Sequence, residues 1–326
     1  MRTRRAMLAP ESVLPDLTEP LSAWPGRLVR VDGSLTYARA APPTGADPAP
    51  AVYVHGLGGS STNWTDLAAL LAGHLDADAI DLPGSGHSDP AGEYRIRSFA
   101  ARVVRWIEEV RGEPVHLVGN SLGGTVSVVV AATRPDLIRS LTLISPALPF
   151  LDPRRSLQSR MVPLLAVPGG EWVARRLLAS MSPEELAQRV VAACFAAPER
   201  VPDERFAEAV AEMSMRFTVD HYVPAYLATM RGLVGSFLRA YLPGSGSLWR
   251  TLARIEAPTL VIAGRQDRLV DIRVAPRAAE LIPDSRLLIL DGVGHVGQME
   301  APRLVARAVV SMLDEVVGRP LAGVAD

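Results

Sequence analysis

Ser121 stands in Val115-His116-Leu117-Val118-Gly119-Asn120-Ser121-Leu122-Gly123-Gly124, an apolar run that passes through G-x-S-x-G into small residues. A serine flanked by glycines two positions away on each side suits a nucleophile on a tight strand-to-helix turn, where side chains at those positions would collide with the turn. Gly124 lets the following helix pack close to the sheet, and that helix's N-terminus directs positive charge density at an oxyanion. A serine hydroxyl is inert at neutral pH without a base. Of the six histidines, His295 is best placed to be that base, in Leu290-Asp291-Gly292-Val293-Gly294-His295, whose glycines let the loop reach across to the serine. The acid that orients it is read as Asp267, in Gly264-Arg265-Gln266-Asp267, which gives the chain order Ser, Asp, His. Asp152 is the rival acid, and Asp271 reads as a helix N-cap before Ile272.

A tetrahedral intermediate also needs two backbone N–H donors. Leu122, directly after the nucleophile, offers one, and Leu57 in His55-Gly56-Leu57-Gly58-Gly59-Ser60 the other, with Gly58 as the alternative. His55 is expected to brace this loop by hydrogen bonding. His74 and His116 fall at a helix end and in a strand, without a partner pattern. No metal-ligand spacing recurs, and no cofactor or metal enters the reading.

These groups need a scaffold that brings distant loops together. Short continuous apolar runs at 51–54, 77–81, 115–118, 141–144, 259–262 and 287–290 read as strands buried on both faces. Amphipathic stretches at 63–71, 98–110, 122–133, 272–281 and 302–317 read as helices between them. The alternation predicts an α/β fold with a mostly parallel sheet and helices on both faces. Ahead of it, two short strands flank Asp32-Gly33, a hairpin signal. Residues 1–26 read as a proline-rich surface arm, and 27–146 with 257–326 as the core.

Between 147 and 256 the alternation breaks, with helical patterns and no convincing strand. Ser182-Pro183-Glu184-Glu185 is a capping box with proline at the first helical position, and further helices are expected at 203–215 and 222–242. The segment reads as a helical cap joined back through Pro243-Gly244-Ser245-Gly246. Its apolar residues, among them Met161, Leu164, Phe195, Met213 and Met230, are candidates to line a cavity.

The bulk composition narrows the chemistry. With 326 residues, 48% hydrophobic and 21% charged, the chain is an ordinary packed protein of one large domain with an insertion. A formal net charge of -1 gives no reason to expect a nucleic-acid partner. Every one of the 34 basic side chains is arginine, which excludes lysine Schiff-base and Ser–Lys mechanisms. The single cysteine, Cys194, lies in an apolar run as an inert thiol and fits a reducing, cytoplasmic setting. The basic N-terminus is interrupted before any apolar core of a signal peptide, and no stretch is long enough for a membrane span.

His55-Gly56, Asp81-Leu82-Pro83-Gly84-Ser85-Gly86-His87-Ser88, Gly119 to Gly124, Gly264 to Asp267 and Gly294-His295 resemble, in register, the successive motifs of the α/β-hydrolase superfamily. The resemblance runs from about residue 28 to 313. It implies an eight-stranded, mostly parallel sheet, a lid after the strand at 141–144, a small-molecule acyl substrate and no cofactor. Haloalkane dehalogenases and epoxide hydrolases carry an aspartate nucleophile where this chain has Ser121. Cofactor-free haloperoxidases share the serine triad, which leaves perhydrolysis as a side activity.

The competing branch is the C–C bond hydrolases of aromatic degradation, which Gly119-Asn120-Ser121 and Gly294-His295 resemble. That branch carries a tryptophan after the histidine, where this chain has Val296. It also favours a Gly-Pro-Gly oxyanion loop, where this chain has Leu57-Gly58-Gly59-Ser60-Ser61. Both departures point to hydrolysis of a carboxylic ester, with C–C cleavage of a vinylogous diketo acid as the alternative.

Overall fold

The computed structural model describes residues 4–17, 21–150, 172–173, 176–177, 180–242 and 247–316. Asp152, the cavity candidates Met161 and Leu164, and the junction at 243–246 lie outside the described residues.

Strands β1 (Arg4–Arg5), β2 (Gly26–Val31), β3 (Ser34–Ala40), β4 (Ala49–Val54), β5 (Leu75–Ile80), β6 (Val115–Asn120), β7 (Ile138–Ile144), β8 (Thr259–Gly264) and β9 (Ser285–Leu290) form one sheet. Its order is β1-β9-β8-β7-β6-β4-β5-β3-β2. From β1 to β5 along this order every pairing is parallel, and the β2–β3 hairpin adds antiparallel at the β5 edge. Asp32 and Gly33 both have positive φ (48° and 78°), the backbone a two-residue hairpin turn of matching twist requires.

Among the described residues the sheet has nine strands where eight were expected. The extra one is β1, inside the segment read as a surface arm, and it covers the edge of β9 that would otherwise expose unpaired peptide groups. The arm then continues along the core. Ala6 N–H donates to the Leu287 carbonyl, Ala9 N–H donates to the Arg307 carbonyl, and Ala6, Ala9 and Leu14 are buried. A two-residue strand carries no alternation, so the sequence pattern could not mark it.

Helices α1 (Thr65–Leu71), α2 (Ile96–Trp106) and α3 (Leu122–Thr133) alternate with β4 to β7. Strand residues divide between the faces as the two-residue period requires: Val52 and Val54 join one apolar cluster, Ala51 and Tyr53 the other. On α2, Ile96, Phe99, Val103 and Trp106 follow helical spacing and all are buried. Among the described residues, the helices given bounds between β7 and β8 are α4 (Pro183–Cys194), α5 (Asp203–Phe217), α6 (Tyr222–Arg239) and α7 (Leu248–Leu252). Ser182 and Glu185 form the expected reciprocal capping box on α4. After β8 come α8 (Val274–Leu281), α9 (Gly297–Glu300) and α10 (Pro302–Val316).

The connection from β4 runs to β5 on one side and that from its neighbour β6 runs to β7 on the other, so the two leave in opposite directions. A crevice opens outside the carboxyl ends of the strands at such a switch point. The loop after β4 and the turn after β6 meet there.

Candidate active site

Ser121 joins β6 directly to α3 with φ 54° and ψ -115°, a conformation that costs a non-glycine residue on the order of 1–3 kcal/mol. The surroundings hold it in place. Its N–H donates to the Ile144 carbonyl (3.0 Å), and its own carbonyl accepts from Thr125 and Ala147 N–H (3.0 Å each). The glycine requirement is steric. A Cβ on Gly123 would sit 2.0 Å from the Val54 carbonyl oxygen, and one on Gly119 would sit 2.5 Å from the Gly123 carbonyl oxygen.

His295 follows β9 and Asp267 follows β8, and the structure brings them together. His295 Nδ1 and Asp267 Oδ2 are 2.8 Å apart, and both side chains are buried. The other Asp267 oxygen accepts the N–H groups of Leu269 (2.8 Å) and Val270 (2.9 Å). Burial raises the pKa of this carboxyl, but the His295 ring and the two amides outweigh it and hold it below the usual range. With Nδ1 committed to Asp267, Nε2 is the nitrogen left for a reacting hydroxyl. Among the described residues no hydrogen bond links Ser121 Oγ to that nitrogen, and such contacts are commonly loose before substrate binds.

Asp271 is engaged by Arg273. Its carboxylate accepts the Arg273 N–H (2.9 Å) and pairs with the Arg273 guanidinium, closing the turn before α8. That bond to the residue two positions on is the kind an N-cap side chain makes, and the regular helix starts at Val274.

The loop after β4 is braced as expected. His55 Nε2 accepts the Leu82 N–H (2.9 Å), which leaves Nδ1 protonated and donating to the Gly56 carbonyl (2.7 Å). Burial lowers the His55 pKa and keeps the ring neutral for this double role. The Gly56 carbonyl also accepts the Gly59 N–H (3.0 Å). Among the described residues, the N–H groups of Leu57, Gly58 and Leu122 have no hydrogen-bond acceptor.

Several braces carry no sequence signature. Asn120 Nδ2 donates to the Ile144 and His295 carbonyls (3.1 and 3.2 Å). Glu300 accepts N–H groups from Gly294 (2.6 Å), Ala196 (2.9 Å) and Ala197 (3.1 Å), and the His295 N–H donates to the Cys194 carbonyl (2.6 Å). Buried Arg216 reaches the Gly58 carbonyl (2.6 Å) from α5. A single sequence carries no signal for contacts between residues so far apart along the chain. Cys194 is an inert thiol, pushed up to about 12 by burial and by the Asp267 charge. His116 and His74 are structural, the first bonding Ser140 Oγ (2.7 Å) and the second the Val13 carbonyl (3.2 Å).

Residues 50–302 match the family model described as the alpha/beta hydrolase fold, and the chain belongs to that family. Over 267 residues it is 30% identical to a putative carbamate hydrolase, RutD, of Pseudomonas savastanoi pv. phaseolicola, covering 81% of this chain and 93% of the relative. It is 29% identical to the monoacylglycerol lipase abhd6-B of Xenopus laevis, covering 80% and 74%. It is 27% identical to a 2-hydroxy-6-oxononadienedioate/2-hydroxy-6-oxononatrienedioate hydrolase of Cupriavidus pinatubonensis, covering 89% and 96%. The particular relatives are thus hydrolases of three substrate types on one fold. Among the described residues no helix is long and apolar enough to cross a membrane.

Proposed function

We propose that this chain hydrolyses a carboxylic ester through an acyl-enzyme on Ser121, with His295 as base and Asp267 as its orienting acid. The observation that carries the reading is the buried 2.8 Å contact between His295 Nδ1 and Asp267 Oδ2, beside a serine held at φ 54° on the turn into α3. Ser121 Oγ attacks the ester carbonyl and passes its proton to His295 Nε2. The negative charge that moves to the carbonyl oxygen is taken up by the N–H groups of Leu122 and of Leu57 or Gly58. The alkoxide leaves with the His295 proton, and water attacks the acyl-enzyme with His295 again as base, releasing the acid.

Residues 147–256 act in this reading as a cap that shapes the acyl pocket. Met213, Met230 and Leu233 are among its buried apolar members. The likeness to a monoacylglycerol lipase supports an ester with an apolar acyl chain.

The second reading, C–C cleavage of a vinylogous diketo acid, is favoured by the Cupriavidus relative and by Asn120 ahead of the serine. Val296 in place of a tryptophan weighs against it. Short and medium p-nitrophenyl esters, offered to the wild type and to Ser121→Ala, test the first reading, and equal rates from the two proteins would sink it. Turnover of the diketo acid with no ester cleavage would put the second in its place.

A further inference from the structure

Arg216 and Glu212 lie one turn apart on α5, in the inserted segment, yet both reach the loop after β4. Arg216 is 2% exposed. Its Nη1 donates to the Gly58 carbonyl (2.6 Å), its Nη2 pairs with Glu212, and its guanidinium lies over the Tyr222 ring, 5.3 Å from the centroid. The other Glu212 oxygen accepts from Thr62 Oγ1 (2.9 Å), which contacts Ser60 Oγ (2.8 Å). Burial works against the Glu212 charge, but Arg216 and the two hydroxyls outweigh it and hold the carboxyl below its ordinary range.

A buried ion pair is weak evidence of stabilisation, because desolvation offsets much of the attraction. Arg216 Nε also has no hydrogen-bond partner, so the fork is aimed at Gly58 and Glu212 rather than at saturating its donors. What it holds is specific. The Gly56 carbonyl is pinned from the core by His55 Nδ1 and the Gly59 N–H. In the same planar peptide the Leu57 N–H points the opposite way. The Gly58 carbonyl is pinned from α5, at a residue with φ 70°. The Leu57 N–H belongs to the first of these fixed peptides and the Gly58 N–H to the peptide between them, and both are without acceptors among the described residues.

We propose that Arg216, oriented by Glu212, is a positioning residue that sets the oxyanion donors from the inserted segment: by fixing the Gly58 carbonyl it aims the preceding N–H groups at the carbonyl above Ser121. The oxyanion site is then complete only while α5 is seated on the core, and displacement of that helix switches it off. This rests on the serine-hydrolase reading above.

The test compares wild type, Arg216→Met, Arg216→Lys and the double variant Glu212→Gln/Arg216→Met, which leaves no buried carboxylate stranded. Readouts are p-nitrophenyl butyrate kinetics, inhibition by an alkyl boronic acid as a tetrahedral mimic, and the rate of Ser121 labelling by a fluorophosphonate. Arg216→Met and the double variant are expected to lose about tenfold or more in kcat and in boronate affinity, with KM changed by less than about threefold. Arg216→Lys, which can serve Gly58 or Glu212 but not both, should fall between. Folded variants with unchanged kcat and boronate affinity overturn the proposal, as does a loss confined to KM, which would mean that Arg216 touches substrate. If wild-type Ser121 is not labelled, the serine-hydrolase reading fails and this proposal with it. If wild type and Arg216→Met label at equal rates, only the positioning role fails.

Discussion

The Asn120 side chain donates to the carbonyl of His295 across 3.2 Å, so the residue before the candidate nucleophile holds the backbone of the candidate base. The same amide group reaches the Ile144 carbonyl at 3.1 Å, an oxygen that also accepts the Ser121 N–H. Three strand ends, those of β6, β7 and β9, are tied at one buried amide.

Asn120→Asp is therefore expected to do more harm than its size implies. A carboxylate cannot donate, and it would face two carbonyl oxygens in a residue only 4% exposed. We expect stability to fall by about 1–3 kcal/mol in urea denaturation, and kcat to fall with it as the His295 loop shifts. Wild-type values of both for Asn120→Asp would show that this brace carries no weight.

The turn at Ser121 leaves room for nothing larger than glycine at 123. A methyl there would stand 2.0 Å from the Val54 carbonyl oxygen and 2.6 Å from that of His55, both backbone atoms of the neighbouring strand and loop. Gly123→Ala should cost about 3 kcal/mol, at the upper end for overpacking, and should abolish fluorophosphonate labelling by moving the serine off the turn. Normal labelling by a stably folded Gly123→Ala protein would refute this account of the turn.

That steric rule is why the candidate nucleophile is legible from the amino-acid sequence. Gly119, Gly123 and the serine between them are local, and so are the buried strand before them and the helix after. The parallel strands and the hairpin follow from equally local patterns, and the helical insertion from the loss of those patterns. What stays hidden is non-local or too short. Arg4–Arg5 becomes a strand only because β9 offers an open edge. The regular turns of α8 start only at Val274, although the Asp271 carboxylate already takes the Arg273 N–H. The contacts of Arg216 with Gly58 and of Glu300 with Ala196 join residues 158 and 104 positions apart, where sequence spacing carries no information.

His116 gives the fold a predictable acid sensitivity away from the site. Buried on β6 against Ser140, its pKa is lowered from 6.5 to about 4 by burial and by the Arg139 charge. In the unfolded chain the ring takes a proton below about pH 6.5, whereas in the folded chain it does so only near pH 4. Stability tied to His116 is thus fully present above the unfolded value and is lost as pH falls towards about 4, by at most about 3 kcal/mol. His116→Gln should flatten that part of the profile. Urea midpoints at neutral pH and at about pH 4.5 read the difference. An equally steep decline in the variant would assign the sensitivity to other groups.

Glu300 offers the most direct view of how the insertion and the candidate base depend on each other. One carboxylate accepts the N–H of Gly294, next to His295, and those of Ala196 and Ala197, just past α4. Arg268, next to Asp267, donates to the Ala192 and Phe195 carbonyls at the end of the same helix. Both flanks of the His295–Asp267 pair thus grip residues 192–197, and Glu300 is the only carboxylate among the described residues that accepts N–H groups from both sides. Glu300→Ala leaves three amide donors without their charged acceptor, so unfolding should become easier by about 2–4 kcal/mol. Hydrogen exchange at the Ala196 and Ala197 amides should accelerate beyond what global unfolding explains, and kcat should fall as the His295 loop loosens. Glu300→Gln keeps one acceptor oxygen and should recover part of each effect. Exchange at those two amides that tracks global stability alone would mean that Glu300 supports the fold without coupling the insertion to the site.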